Sequence, residues 1–235
     1  MNFNWLLLKR PCTFYFVPCA IFLLLLPAAT ATAQNTIQVS EQEAAYNKTI
    51  RQRAEKIVAV LDISDSEKAS RVATIIADQY KALNAIYNNR DEKIKAIKSG
   101  NNSQADLNKL QEEVNRLLQV RHAAYLSSLR KELTAEQVDQ VKDGMTYGVV
   151  NITYKGYQDM IPTLTAEQKK QILTWLIEAR EIAMDAESSD KKHAWFGKYK
   201  GRINNYLSAA GYDLKKLGDE WQTRLKAEQA AKKSQ

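Results

Sequence analysis

Aromatic and basic side chains crowd the second half of this chain, in a mixture suited to recognising a sugar. Tyr154 stands beside Lys155, Tyr157 lies near Asp159, and Trp195 and Tyr199 are interleaved with Lys198, Lys200 and Arg202. An aromatic face stacks on the C–H face of a sugar ring, while Arg, Lys, Asn and Asp bind its hydroxyls or carboxylates. Large apolar planes with a few polar groups are the usual make-up of a ligand surface. Tyr154, Lys155, Tyr157, His193, Trp195 and Arg202 are therefore the candidate ligand-binding set. The basic members favour an acidic sugar such as a uronate, whose carboxylate Arg202 would grip through two hydrogen bonds. The competing reading makes each aromatic a core residue of a domain poor in phenylalanine.

Other chemistry is sparser. His122 falls on an apolar helix face with Leu118 and Tyr125, where it is either a satisfied core histidine or a pocket lining and general base. Glu181 and Asp185 are one helical turn apart and would form a carboxylate pair, of the kind that serves glycosidases or merely charges a surface. His122 and His193 are the only histidines, and no H-x-x-x-H or EF-hand spacing is present, so no metal site is expected. G-x-S-x-G, P-loop and G-x-G-x-x-G motifs are absent as well, and no cofactor is called for. No residue set defines a reaction. A lyase or hydrolase would draw its acid or base from His122, His193, Tyr154 or Tyr157.

The elements that must position these groups are helices. Gly and Pro are scarce, whereas Ala, Lys, Glu, Gln and Leu are abundant. The pattern predicts a single all-α domain of about six or seven helices. A first helix runs over about 41–61. Ser64 and Glu67 have the spacing of a capping box ahead of a long amphipathic helix to about Lys98, with Val72, Ile76, Gln79, Leu83 and Ile86 on one stripe. A turn at 99–103 joins it to a third helix carrying Leu107, Leu110, Val114, Leu118, Tyr125 and Leu129, and so short a turn between long helices predicts an antiparallel hairpin. The pentapeptide Leu-Thr-Ala-Glu-Gln occurs at 133–137 and again at 164–168, each copy a capping box opening a helix. Between the copies, Gly148, Gly156, Pro162 and several β-branched residues predict an ordered loop over 147–162. Helices over about 191–209 and 214–231 complete the chain.

The N-terminus sets the compartment. Lys9 and Arg10, the apolar run from Phe14 to Leu26 and the ending Ala31-Thr32-Ala33 have the order of a secretory signal peptide, with an apolar run too short to span a bilayer. Residues 1–33 are thus expected to be removed, leaving a domain over 34–235. Long helices and the hairpin occupy 41–131, an aromatic-rich half 132–225 and a basic tail 226–235. Both cysteines, Cys12 and Cys19, fall in the leader, so a periplasmic or secreted chain without disulfides is expected. No second apolar run is long enough for a membrane span. The net charge of +7 is carried largely by the leader and the tail, while acids and bases alternate elsewhere; without a basic stripe, nucleic acid is not an expected partner.

The run from Gly144 through Thr153-Tyr154-Lys155-Gly156-Tyr157 to Pro162, with the block from Trp195 to Tyr206, resembles a family of uncharacterised exported helical proteins from polysaccharide-degrading bacteria that carry a sugar-binding description. The resemblance spans roughly residues 43–215. It implies an extracytoplasmic location and a carbohydrate context, accessory to polysaccharide utilisation, and supplies no catalytic or binding residues. The paired Leu-Thr-x-x-Gln helix starts are also similar to those of small periplasmic chaperones, which implies a protein-binding hairpin as the alternative.

Overall fold

The computed structural model describes the backbone of residues 28–100 and 103–233. The apolar run expected to be the core of a signal peptide lies outside the described residues. The chain divides into two units, Met1–Gln42 and Glu43–Gln235. In the first, the described residues from Ala28 onward are helical. Across the described residues the fold is all-α, with eight helices and no strand: α1 (Ala28–Val58), α2 (Ser66–Ser99), α3 (Gln104–Glu132), α4 (Ala135–Met145), α5 (Val149–Met160), α6 (Ala166–Ala183), α7 (Ser189–Ala209) and α8 (Leu214–Lys233).

The hairpin forms as the short turn requires. Arg71 at the start of α2 pairs with Glu132 at the end of α3 (3.1 Å), and Lys93 near the end of α2 pairs with Glu113 early in α3 (3.0 Å), which makes the two helices antiparallel. Both Leu-Thr-Ala-Glu-Gln copies form complete capping boxes. Thr134 Oγ1 accepts from the Gln137 amide and Thr165 Oγ1 from the Gln168 amide, and each glutamine returns the bond to the threonine amide. Each glutamine also has a tertiary role: Gln137 donates to the Leu61 carbonyl (2.7 Å) and Gln168 accepts from the Tyr212 hydroxyl (2.9 Å).

Three expectations need correction. The cap of α2 is Asp65 rather than Ser64. Its carboxylate accepts from the amides of Glu67 (2.9 Å) and Lys68 (3.1 Å), so one charged group satisfies two open amides at the positive end of the dipole. Helix α1 is already formed at Ala28, where the described residues start, rather than from about Glu41, because the Ala-, Thr- and Gln-containing stretch ahead of Glu41 is part of the same helix.

The third correction bears on function. Most of the stretch expected as a loop is helix α5, and the turn between α4 and α5 is Thr146, Tyr147 and Gly148, of which the last two lie in the expected loop. Tyr147 and Gly148 adopt left-handed backbone, at φ 60° and 66°. β-branched residues lower helix propensity by only a few tenths of a kcal/mol each. Burying Val150 and Tyr157 against α6 and α7 outweighs that, roughly 1.5–3 kcal/mol for each large apolar side chain. Gly156 is tolerated within α5, where the Trp221 ring of α8 packs over it.

Two apolar clusters organise the Glu43–Gln235 unit. One joins α1, α2, α3 and α4 around Ile50, Ile76, Tyr125 and Leu129; the other joins α5, α6, α7 and α8 around Ile172, Leu176, Phe196 and Ile203. Helix α6 belongs to the second cluster, yet Met184 just past its end is buried in the first. The end of α6 therefore sits at the junction, where its polar residues meet α2, α3 and α4.

Candidate functional site

At that junction a cleft of about 600 Å³ opens to solvent. Helix α3 lines it with Gln111, Asn115, Gln119 and His122, spaced by four, four and three residues along one face. Helix α2 adds Tyr87 and Arg90, and the end of α6 with the turn beyond it adds Glu181, Asp185 and Glu187. Lys191 and Trp195 approach from the first turns of α7, and Val114, Leu118 and Ile182 supply apolar wall. Trp195 is half-buried, with the Lys198 ammonium 5.1 Å from its ring centre.

Asp185 anchors the base of the cleft. One carboxylate oxygen accepts from the Gln79 amide (2.9 Å) and the other accepts from His122 Nδ1 (2.6 Å). The Asp185 backbone carbonyl accepts from the Tyr87 hydroxyl (2.8 Å). Gln79, the one polar member of the buried α2 stripe, is itself fixed by Arg121, whose Nε donates to its side-chain oxygen (2.6 Å). With Nδ1 engaged by a carboxylate, the open nitrogen of His122 is Nε2, which lies 3.7 Å from the Glu181 carboxylate. The hydrogen bond to Asp185 and the charges of Asp185 and Glu181 raise the His122 pKa above its ordinary value, against burial and Lys142, which lower it.

Behind Glu181 the network continues. Lys142 donates to both Glu181 oxygens (3.0 and 2.9 Å), and Arg180, almost fully buried, pairs with Asp139 and Asp143 at 2.8 Å each. On the other side Lys192 is buried beneath the cleft, donating to the Met184 carbonyl (2.8 Å) with its ammonium 5.8 Å from the Tyr80 ring centre. Burial lowers the Lys192 pKa to about 8 and raises that of Tyr87 to about 12. Chemically, the site offers an imidazole oriented by a buried carboxylate, a second carboxylate held by a lysine, and amide and cationic groups at the rim. Among the described residues, no group of three or more His, Cys, Asp or Glu side chains is arranged to hold a metal ion.

Of the six residues expected to bind ligand, Trp195 lines this cleft. Arg202 lines a separate hollow on α7 with Lys198 and Asn205, its guanidinium 4.4 Å from the Trp175 ring centre. Lys155 is exposed and paired along its own helix with Asp159 (2.7 Å). Tyr157 is buried and donates to Asn204 (2.6 Å), and Tyr154 packs half-buried on the same cluster, as the core reading of these aromatics has it. His193 stacks on Tyr147, with ring centres 5.7 Å apart. The pairing of His122 with Asp185 escaped sequence reasoning, since sixty-three positions separate them. A signal was present: Gln79 in an apolar stripe and His122 on an apolar face, each a polar group that a helix would bury only with a partner.

Residues 47–227 match the family described as a protein of unknown function, DUF3826, and the chain belongs to that family. No curated protein matches the chain.

Proposed function

We propose that this is an exported protein that binds a carbohydrate chain in the cleft between α2, α3 and α7, in the service of polysaccharide utilisation. One observation carries the reading: a half-buried tryptophan stands in an open cleft of about 600 Å³ beside amide, carboxylate and cationic side chains. Gln111, Asn115 and Gln119 match the donors and acceptors of sugar hydroxyls, and Trp195 offers the plane for a ring to stack on. The leader-like N-terminus and the resemblance to exported proteins of polysaccharide-degrading bacteria support the location.

Charge bookkeeping supports an acidic sugar. The carboxylates of the lining are already engaged: Glu187 by Arg90, Glu181 by Lys142, and Asp185 by hydrogen bonds from Gln79 and His122. Lys191 lines the cleft with no carboxylate partner among the described residues. Arg202, first expected to grip the carboxylate, leans on Trp175 and Glu178 outside the cleft, so Lys191 takes that role in this reading.

The test is calorimetric titration of the protein from Gln34 onward with neutral and uronate-containing oligosaccharides. Trp195→Ala is expected to weaken binding roughly ten-fold, the loss of one stacking contact of about 1–1.5 kcal/mol. Wild-type affinity in a folded Trp195→Ala protein would overturn the reading.

A further inference from the structure

We infer that the cleft is catalytic, and that His122 cleaves a uronate-containing chain by β-elimination, with Asp185 as the residue that positions it. The inference rests on the carbohydrate-binding reading of the same cleft.

The arrangement of His122 is the first ground. Its Nδ1 is committed to Asp185, and Asp185 is in turn held by Gln79 and by Tyr87 through its backbone. A neutral imidazole so held carries its proton on Nδ1 and leaves the Nε2 lone pair to accept another. Three elements fix the geometry, since His122 comes from α3, Gln79 and Tyr87 from α2, and Asp185 from the turn after α6. Packing alone would not call for a histidine here, at the lining of an open cleft and one-quarter exposed.

The second ground is what the site lacks for other reactions. Hydrolysis of a glycosidic bond usually employs two carboxyl groups facing each other across the bond, about 5–5.5 Å apart for retention or about 6.5–9.5 Å for inversion. Here Asp185 is buried and spent on Gln79 and His122, and Glu187 is paired with Arg90, which leaves Glu181 as the carboxylate that faces the reacting nitrogen. Glu181 is only 3.7 Å from His122 Nε2, on the same wall. The cleft lining contains no serine, threonine or cysteine among the described residues, so a covalent acyl route has no nucleophile.

Elimination asks for less. His122 Nε2 removes the proton on C5 of the uronate, the carbon next to its carboxylate. The C5–H electron pair becomes the C4=C5 double bond as the C4–O bond breaks. The departing oxygen takes a proton from the imidazolium, so His122 ends neutral and no water or redox partner is consumed. Lys191 faces the substrate carboxylate and steadies the charge that develops on it when C5 is deprotonated. Glu181, with Lys142 behind it, stabilises the imidazolium between the two proton transfers. Because one group takes and returns the proton, both bonds lie on the same face of the ring. That geometry exists in glucuronate and mannuronate chains and not in galacturonate chains, where H5 and O4 lie on opposite faces.

The experiment incubates the protein from Gln34 onward with polymannuronate, hyaluronate and polygalacturonate. It follows the ultraviolet absorbance of the conjugated unsaturated uronate, alongside calorimetric binding of the same polymers. Expected are an absorbing product from polymannuronate or hyaluronate and its loss by at least a hundred-fold in His122→Asn with binding retained. The rate should rise with pH as Nε2 loses its proton. In Asp185→Asn that midpoint should move to lower pH, since the partner that favours the imidazolium is gone, whereas a merely structural role would scale the rate without moving the profile. His122→Gln, with melting followed in parallel, separates lost chemistry from lost fold. Binding of a uronate polymer with no absorbing product from any of the three would overturn the inference and leave the binding reading standing. Absence of binding to any acidic or neutral chain would remove both. New reducing ends without absorbance, or preferential cleavage of polygalacturonate, would equally overturn the single-histidine route.

Discussion

Lys192 gives the most direct physical test of the buried polar layer beneath the cleft. Its ammonium is buried, accepted by the Met184 carbonyl, and its pKa falls to about 8 from an ordinary 10.5, chiefly because burial penalises the charged form. Between about pH 8 and 10.5 the unfolded chain therefore holds a proton on this lysine that the folded chain has released. Where the unfolded state binds more protons, stability rises with pH. The shift of roughly two and a half units corresponds to about 3 kcal/mol, the cost of folding with this lysine charged, carried in full below pH 8 and relieved as the pH rises toward 10.5. Tyr80, Tyr87 and Tyr157, raised to about 12 by burial, work the other way above pH 10, where their unfolded counterparts ionise first. Lys192→Met retains those tyrosines, so the difference between the two proteins isolates the lysine. Urea unfolding from pH 7 to 10 should show wild type gaining about 2–3 kcal/mol relative to Lys192→Met. Parallel curves would refute the reasoning, because a solvated lysine has nothing to gain on losing its proton below pH 10.

Other perturbations test the frame that holds the cleft. Thr134→Ala and Thr165→Ala should each cost about 1 kcal/mol by chemical denaturation, as the loss of a capping oxygen does, and the two should add because they open different helices. Leu83→Asp should cost several kcal/mol, combining lost burial with an unpaired buried charge, and an unchanged melting temperature would mean that this stripe is not core. Gly144→Ala places a methyl 2.8 Å from Ile57 Cγ1 in the close approach of α4 to α1; a loss of about 1–3 kcal/mol is expected, and the double change with Ile57→Ala, which removes both Cγ atoms, should cost less than the sum of the two single changes.

Legibility divided along physical lines. The α2–α3 hairpin and the two capping boxes were readable because each depends on residues within one helix or one turn, where spacing reports the structure. Helix α5 was not, since Gly148, Gly156 and the β-branched run give a weak local preference that packing of Val150 and Tyr157 reverses. The aromatic and basic make-up of the second half is plain in the sequence, whereas the placement of each side chain is not. Helical spacing turns Tyr157 into the core and Arg202 onto Trp175, and brings Trp195 alone of the six to the cleft. Asp185, His122, Gln79 and Arg121 come from three separate segments, and each taken singly resembles a surface charge or a stray polar core residue.

That buried layer is hard to account for by stability. Removing a carboxylate and its partners from water costs several kcal/mol, and apolar residues of similar volume often pack as well or better. Asp185 is nonetheless buried with both oxygens satisfied, Gln79 fully enclosed to reach it, and Arg121 bonded to hold Gln79. The product of this expense is one outcome: the His122 ring is fixed with Nε2 open beside Glu181 at the wall of a cleft. A carboxylate kept only to seal a core would be satisfied equally well by backbone amides, as Asp65 is at the start of α2. An orienting role for Asp185 explains the choice of a ring partner, the enclosure of Gln79 and the position at the junction of the two clusters, where four helices can converge on one proton.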